Sequence, residues 1–308
     1  MKIRTLQTTE WDQLARLIFN STNNWYQKNL NRKCFGGSDP LICRIFPEVY
    51  ETLDPGCCLL AEIDGVTAGS CFYHPRKTHF SVGIMNADPA FAGRGVARTL
   101  LQEIIKRAGK KPVRLVSSAL NLDSYSLYTR AKFRPLAIYQ DMIIPAEAAL
   151  PPVPSNVRAA KLSDLPAILA LEDKVSEISR EKDWHYFLSD KSSMWRGFVY
   201  ETDGELTGFL FSINHPGSRM LGPGVMLDQK AAFALIIAHL STFGTATPIF
   251  LVPANETELI QNLYKLGARN CEIHFSQVLG EAQSPRGVTM PTFLSLIHIS
   301  EPTRPYWI

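Results

Sequence analysis

Asn86-Ala87-Asp88-Pro89-Ala90-Phe91-Ala92-Gly93-Arg94-Gly95-Val96-Ala97 is the stretch whose reading decides the fold. An apolar run, Phe80 to Ala87, precedes it. Ala97, Leu100, Leu101, Ile104, Ile105 and Ala108 follow on one helical stripe. A strand therefore runs into a glycine-bearing turn that opens a helix. The first N–H groups of a helix have no acceptor within it and form an anion site. Gly93 and Gly95 let the backbone approach a phosphate that a side chain would block.

Two common phosphate-binding patterns fail on the residues. A P-loop ends in Gly-Lys-Ser/Thr, and Val96-Ala97-Arg98 does not. A dinucleotide fold needs an acid about 20 residues on, and the next strand, Val113 to Ser118, carries none. Further on come Asn121, Ser124, Leu127-Tyr128 and Lys132-Phe133. This run resembles the Asn-x-x-Ala-x-x-Leu-Tyr-x-x-x-Gly-Phe segment of the GNAT superfamily of acetyl-CoA-dependent N-acetyltransferases. Ala92-Gly93-Arg94-Gly95-Val96-Ala97 resembles that family's Gln/Arg-x-x-Gly-x-Gly/Ala loop. Ala92 departs from the usual Gln or Arg, and Lys132 from the usual Gly. The resemblance covers about residues 1–145.

The resemblance implies a site. Met85, Asn86 and Ala87 would align pantetheine through backbone groups. Ala92, Gly93, Arg94, Gly95, Val96 and Ala97 would hold the pyrophosphate of acetyl-CoA, with Arg94 turned to solvent. Asn121 would bond pantetheine, cap its own helix, or both. Tyr128 would protonate the departing thiolate, since a phenol with pKa near ~10 keeps its proton at neutral pH; packing is its other reading. The base is not visible, because Phe80 to Asn86 holds no acid. His74 and His79 flank the turn at the far end of the strand, roughly 15–20 Å from Met85 at about 3.3 Å per residue.

The 308-residue chain repeats itself. Ile3-Arg4, Leu14 and Leu17 correspond to Val157-Arg158, Ile168 and Leu171. Asp64-Gly65 and Asp203-Gly204 each open a hairpin before a strand. His74-Pro75 parallels His215-Pro216. Leu115-Val116 with Leu127-Tyr128 parallels Leu251-Val252 with Leu263-Tyr264. Ordered matches of this kind indicate an internal duplication. Pro151, Pro152 and Pro154 mark a stiff linker. The expected layout is two tandem GNAT-like domains of mixed α/β sheet: a catalytic one over 1–145, a linker over 146–156, and a degenerate one over 157–293. The second copy has no glycine loop, and Asp228 at its helix start would repel a phosphate. An insert from Trp25 to Asp39 is expected to shape the acceptor pocket. Residues 294–308 contain Leu294-Ser295-Leu296-Ile297-His298-Ile299-Ser300-Glu301-Pro302-Thr303-Arg304, which resembles a translated sequencing adapter and is set aside as non-native.

Composition bounds the rest. Net charge is +3, with acids and bases interspersed, which argues against nucleic acid as a partner. No apolar run is long enough to span a bilayer, and the start lacks a signal-peptide core. The six cysteines form no C-x-x-C pair, so no metal site is expected and a reduced, cytoplasmic setting fits. The expected activity is acetyl transfer to a primary amine of a small molecule or peptide. Transfer of other acyl or aminoacyl groups, and a non-catalytic acyl-CoA sensor, stay open.

Overall fold

The same ion triad starts both copies. In β1 (Lys2–Thr5), Arg4 clamps Glu10 at 2.6 Å and Glu62 at 2.7 Å. Its counterpart Arg158 clamps Asp164 at 2.8 Å and Glu201 at 2.6 Å. Each first strand is thus tied to the turn that starts its helix and to its neighbouring strand. The Arg4 bonds hold the Glu10 carboxyl below its usual range, and Arg158 does the same to Asp164.

The computed structural model describes residues 1–190 and 192–291, and the backbone of a two-residue strand at Leu296–Ile297 that pairs with a first-unit strand. The remainder of the expected adapter tail lies outside the described residues. Contacts divide the chain into two compact units, one running Met1–Leu115 and the other beginning at Val116. The division falls before the proline-rich linker.

In the first unit, β1 is followed by α1 (Trp11–Leu30), α2 (Ile45–Leu53), β2 (Cys58–Ile63), β3 (Val66–Pro75), β4 (Phe80–Ala87), α3 (Val96–Ala108) and β5 (Val113–Ser118), whose end passes into the second unit. The strands lie in chain order, antiparallel from β1 to β4 and parallel from β4 to β5. Asp64 and Gly65 both have positive φ, as a two-residue hairpin turn requires. α3 buries Val96, Leu100, Leu101, Ile104 and Ala108, one stripe at helical spacing. It sits close on β3 at Gly69, where a Cβ would lie 2.5 Å from Val96 Cγ1.

The second unit contains α4 (Leu122–Arg130), β6 (Arg134–Ile143), β7 (Val157–Ala159), α5 (Leu165–Ser176), α6 (Glu181–Ser189), β8 (Trp195–Thr202), β9 (Glu205–His215), β10 (Ser218–Met226), α7 (Gln229–Leu240), β11 (Ile249–Pro253), α8 (Thr257–Lys265), β12 (Arg269–Leu279) and β13 (Val288–Met290). Its strand order is β12-β6-β11-β10-β9-β8-β7, with β13 on β10. The last strand of the first sequence copy, β6, therefore lies between the last two long strands of the second, antiparallel to both. α7 is apolar on every side and forms the centre of a core with Met142, Leu210, Phe250 and Leu263. The architecture is a mixed α/β fold, as the pattern predicts.

Candidate active site

The site begins where β4 stops behaving as an ordinary strand. Cys71 pairs with Met85 and Tyr73 with Val82, so Gly83 and Ile84 together oppose the single residue Phe72. This is a β-bulge, which bends a strand and re-aims its groups. β4 pairs with β5 only at Phe80–Val113 and Ser81–Arg114. From Val82 onward its backbone edge is not spent on β5.

β4 leads through Asp88 into the glycine turn. Asp88 caps a short turn by accepting from Ala90 N at 2.8 Å. Gly93 and Gly95 both have φ +75, in the left-handed region. A Cβ on Gly93 would meet nothing within 4 Å, so the space in front of it is open. Gly95 is the N-cap of α3, and no side chain caps that end. The first helical bond is Thr99 N to Gly95 O, 3.0 Å. The Val96, Ala97 and Arg98 N–H groups thus precede the intrahelical ladder and carry the positive end of the helix dipole. Arg94 lies over the Phe91 ring at 5.6 Å and 3.8 Å from Asp64, half exposed.

The other predicted site residues fall as follows. Met85 is buried opposite Cys71, whose thiol burial pushes well up. The Asn86 side chain turns to α1, donating to Ser21 Oγ at 2.7 Å and Thr22 Oγ1 at 3.1 Å. Its Oδ1 is buried without a hydrogen-bond partner, and its backbone lies beyond the point where β4 stops pairing with β5. Ala87 and Ala92 frame the turn. Asn121 and Tyr128 lie in the second unit. Asn121 accepts from Ser124 N at 3.0 Å and caps α4. Tyr128 is fully buried, with its ring 5.9 Å from that of Phe133.

Three residues escaped the sequence reading: Ser21, Thr22 and Asn23, consecutive and buried on α1. Asn23 Oδ1 accepts from Cys34 N and Phe35 N, and Nδ2 donates to Phe35 O. It holds the inserted segment against the helix, while Ser21 and Thr22 hold the end of β4. Five polar residues in a row, Asn20 to Asn24, on a helix with an apolar stripe were the available signal. The first part of the insert, Trp25 to Leu30, continues α1, which has 20 residues against 12 for α5.

Residues 22–133 match the acetyltransferase (GNAT) family model. The fold is that of the GNAT acetyltransferases. A protein from Pyrococcus horikoshii, described as an acetyltransferase, is similar at 14% identity and TM-score 0.74, covering 96% of this chain and 95% of that one. A GCN5-related N-acetyltransferase from Sphaerobacter thermophilus is similar at 17% identity and TM-score 0.61, covering 92% and 96%. A tandem GNAT protein from the clavulanic acid biosynthesis pathway is similar at 12% identity and TM-score 0.58, covering 90% and 98%. No curated protein matches the chain by sequence. No helix of the described residues is long and apolar enough to cross a membrane.

Proposed function

We propose that the chain transfers an acetyl group from acetyl-CoA to a primary amine of a small molecule or peptide, by direct attack in a ternary complex. One observation supports this reading above the others: a bulged strand whose pairing with β5 ends at Ser81 runs into a helix start that no side chain caps, through two left-handed glycines. Gly93 to Ala97 would bind the pyrophosphate through backbone N–H groups, at a helix end whose dipole favours anions. Backbone groups of Met85 to Ala87 would orient the pantetheine arm and polarise the thioester carbonyl. Fixed donors suit that task, because they are aligned before charge develops on the oxygen.

Acetyl-CoA supplies the thioester, activated for attack and carrying a thiolate leaving group. The C–N bond forms as the C–S bond breaks, and Tyr128 is the proposed proton donor to the thiolate. All six cysteines are free, and a cytoplasmic location belongs to the same reading. Calorimetric titration with acetyl-CoA tests the proposal. It expects saturable binding, and thiol release when amines are added. Absence of binding overturns it.

A further inference from the structure

Beside the candidate acyl site lies a cavity of about 580 Å³, inside the range of small-molecule sites, roughly 300–1,000 Å³. α1 lines it together with Leu60 of β2, Val66 and Thr67 of β3, and Asp88 and Pro89 after β4. Leu60 pairs with Ser70, and Ser70 with Asn86, so the three share one face of the sheet. The Asn86 side chain reaches α1, which makes this the α1 face. α3 packs at Gly69, one residue from Ser70 and so on the opposite face. β2 and β3 also lie on the side of β4 away from β5. Neither Met85 to Ala87 nor Gly93 to Ala97 lines the cavity. It is therefore a different place from the one assigned to the thioester and the pyrophosphate.

Three charged residues line it, and one of them is already neutralised. Both Glu10 carboxylate oxygens accept from Arg4, at 2.6 and 2.8 Å. Arg16 has no hydrogen-bond or ion-pair partner among the described residues. Asp88 Oδ1 accepts from Ala90 N, and Oδ2 has no partner among the described residues. The two uncommitted charges stand apart. Ser21 meets Asn86, two residues before Asp88, while Arg16 lies five residues before Ser21 on α1. That is about 7.5 Å at ~1.5 Å per residue. Leu14, Leu17 and Leu60 also line the cavity and supply apolar surface. The fold does not demand this polar flank. Matching Leu14 and Leu17 to Ile168 and Leu171 puts Ala167 and Ala170 of α5 where α1 has Gln13 and Arg16.

We infer that this cavity is a second small-molecule site, and that it takes an aliphatic zwitterion. The carboxylate pairs with the Arg16 guanidinium, whose planar fork suits it. The ammonium pairs with Asp88 Oδ2. The methylene chain between them covers the three leucines. A compound with both charges on one carbon cannot reach both groups, whereas one with a chain of methylenes between them can. The inference is independent of the acetyl-transfer reading.

Calorimetry on the full chain tests it, with 6-aminohexanoate and 8-aminooctanoate as probes and hexanoate, hexylamine and alanine as comparisons. At least one long zwitterion should bind saturably. Hexanoate and hexylamine should bind about 10-fold more weakly, each having lost one charged contact, and alanine should not bind. Arg16→Gln should weaken the zwitterion about 10-fold and leave hexylamine unchanged. Asp88→Asn keeps an acceptor for Ala90 N, and should weaken the zwitterion about 10-fold while leaving hexanoate unchanged. This crossed pattern cannot come from a loss of folding, which would weaken every compound alike. Gly95→Glu should bind the zwitterion as the wild type does, and acetyl-CoA should not displace it. The inference is overturned if neither zwitterion binds at millimolar concentration, if binding survives both charge substitutions, or if acetyl-CoA displaces the zwitterion. Acetyl transfer stands or falls separately, on the acetyl-CoA titration.

Discussion

At the β4–α3 junction, two left-handed glycines lead to three N–H groups ahead of the helical ladder. At the equivalent β10–α7 junction, Asp228 accepts from Ala231 N at 2.8 Å and fills the same helix end with a carboxylate. The two junctions share a sheet plan, a bulge and a parallel next strand. They differ further at the bulge itself. Ile84 has an N–H there, while Pro223 has none. Beside β10, Gly224 to Met226 pair with β13, so that edge is spent on the chain's own backbone. An anion site of this kind thus belongs to the cap, and not to the fold that carries it.

Four predictions can break or sharpen that contrast. The largest effect is expected at the glycine turn. Gly95→Glu places a carboxylate and a Cβ at φ +75, and should weaken acetyl-CoA binding more than 100-fold by calorimetry, an estimate of about 3 kcal/mol or more. The wild type should bind one acetyl-CoA per chain. Two equivalent sites would break the contrast outright.

Next is the tyrosine pair. Tyr128 is fully buried, whereas Tyr264 is exposed and donates to Gln140 Oε1 at 3.0 Å. Tyr128→Phe should lower kcat by roughly 10²–10⁴-fold with little change in KM for acetyl-CoA. Tyr264→Phe should leave turnover alone. A Tyr128→Phe variant that only melts earlier would assign that ring to packing.

A smaller effect is expected at the second junction. Asp228→Ala removes a helix cap and should cost about 1 kcal/mol by chemical denaturation. It should not create a second acetyl-CoA site, since β13 and Pro223 remain. The smallest effect concerns both copies together. Glu10 and Asp164 have folded pKa values held below their unfolded ones. Their contribution is present above the unfolded carboxylate range and is lost as pH falls through the folded values. Melting temperature should therefore decline below about pH 4, and less steeply in Arg4→Met or Arg158→Met.

Much of this was legible in the residues. The glycine turn, the two Asp-Gly hairpins and the paired Arg4 and Arg158 are local signals, and each reads the same way in three dimensions. Asn121 capped its helix as an Asn before Ser124 should. The place of β6 was not legible, because an alternating strand pattern names no neighbour. Nor was β13, three residues whose pairing is decided by an edge 62 or more positions earlier.

The position of β6 between β12 and β11 sets a timetable. Asp141 on β6 meets His274 on β12 at 2.8 Å, across 133 positions of chain. A ribosome adding ~5–20 residues per second needs on the order of ten seconds to cover that interval. For most of it, until β11 is made, β6 has both edges unpaired, and unpaired strands recruit other strands. A nascent chain of this protein therefore passes through a long window in which its middle is made and its partners are not. Yield on expression should depend more on translation speed and holdase supply than on the stability of the finished fold.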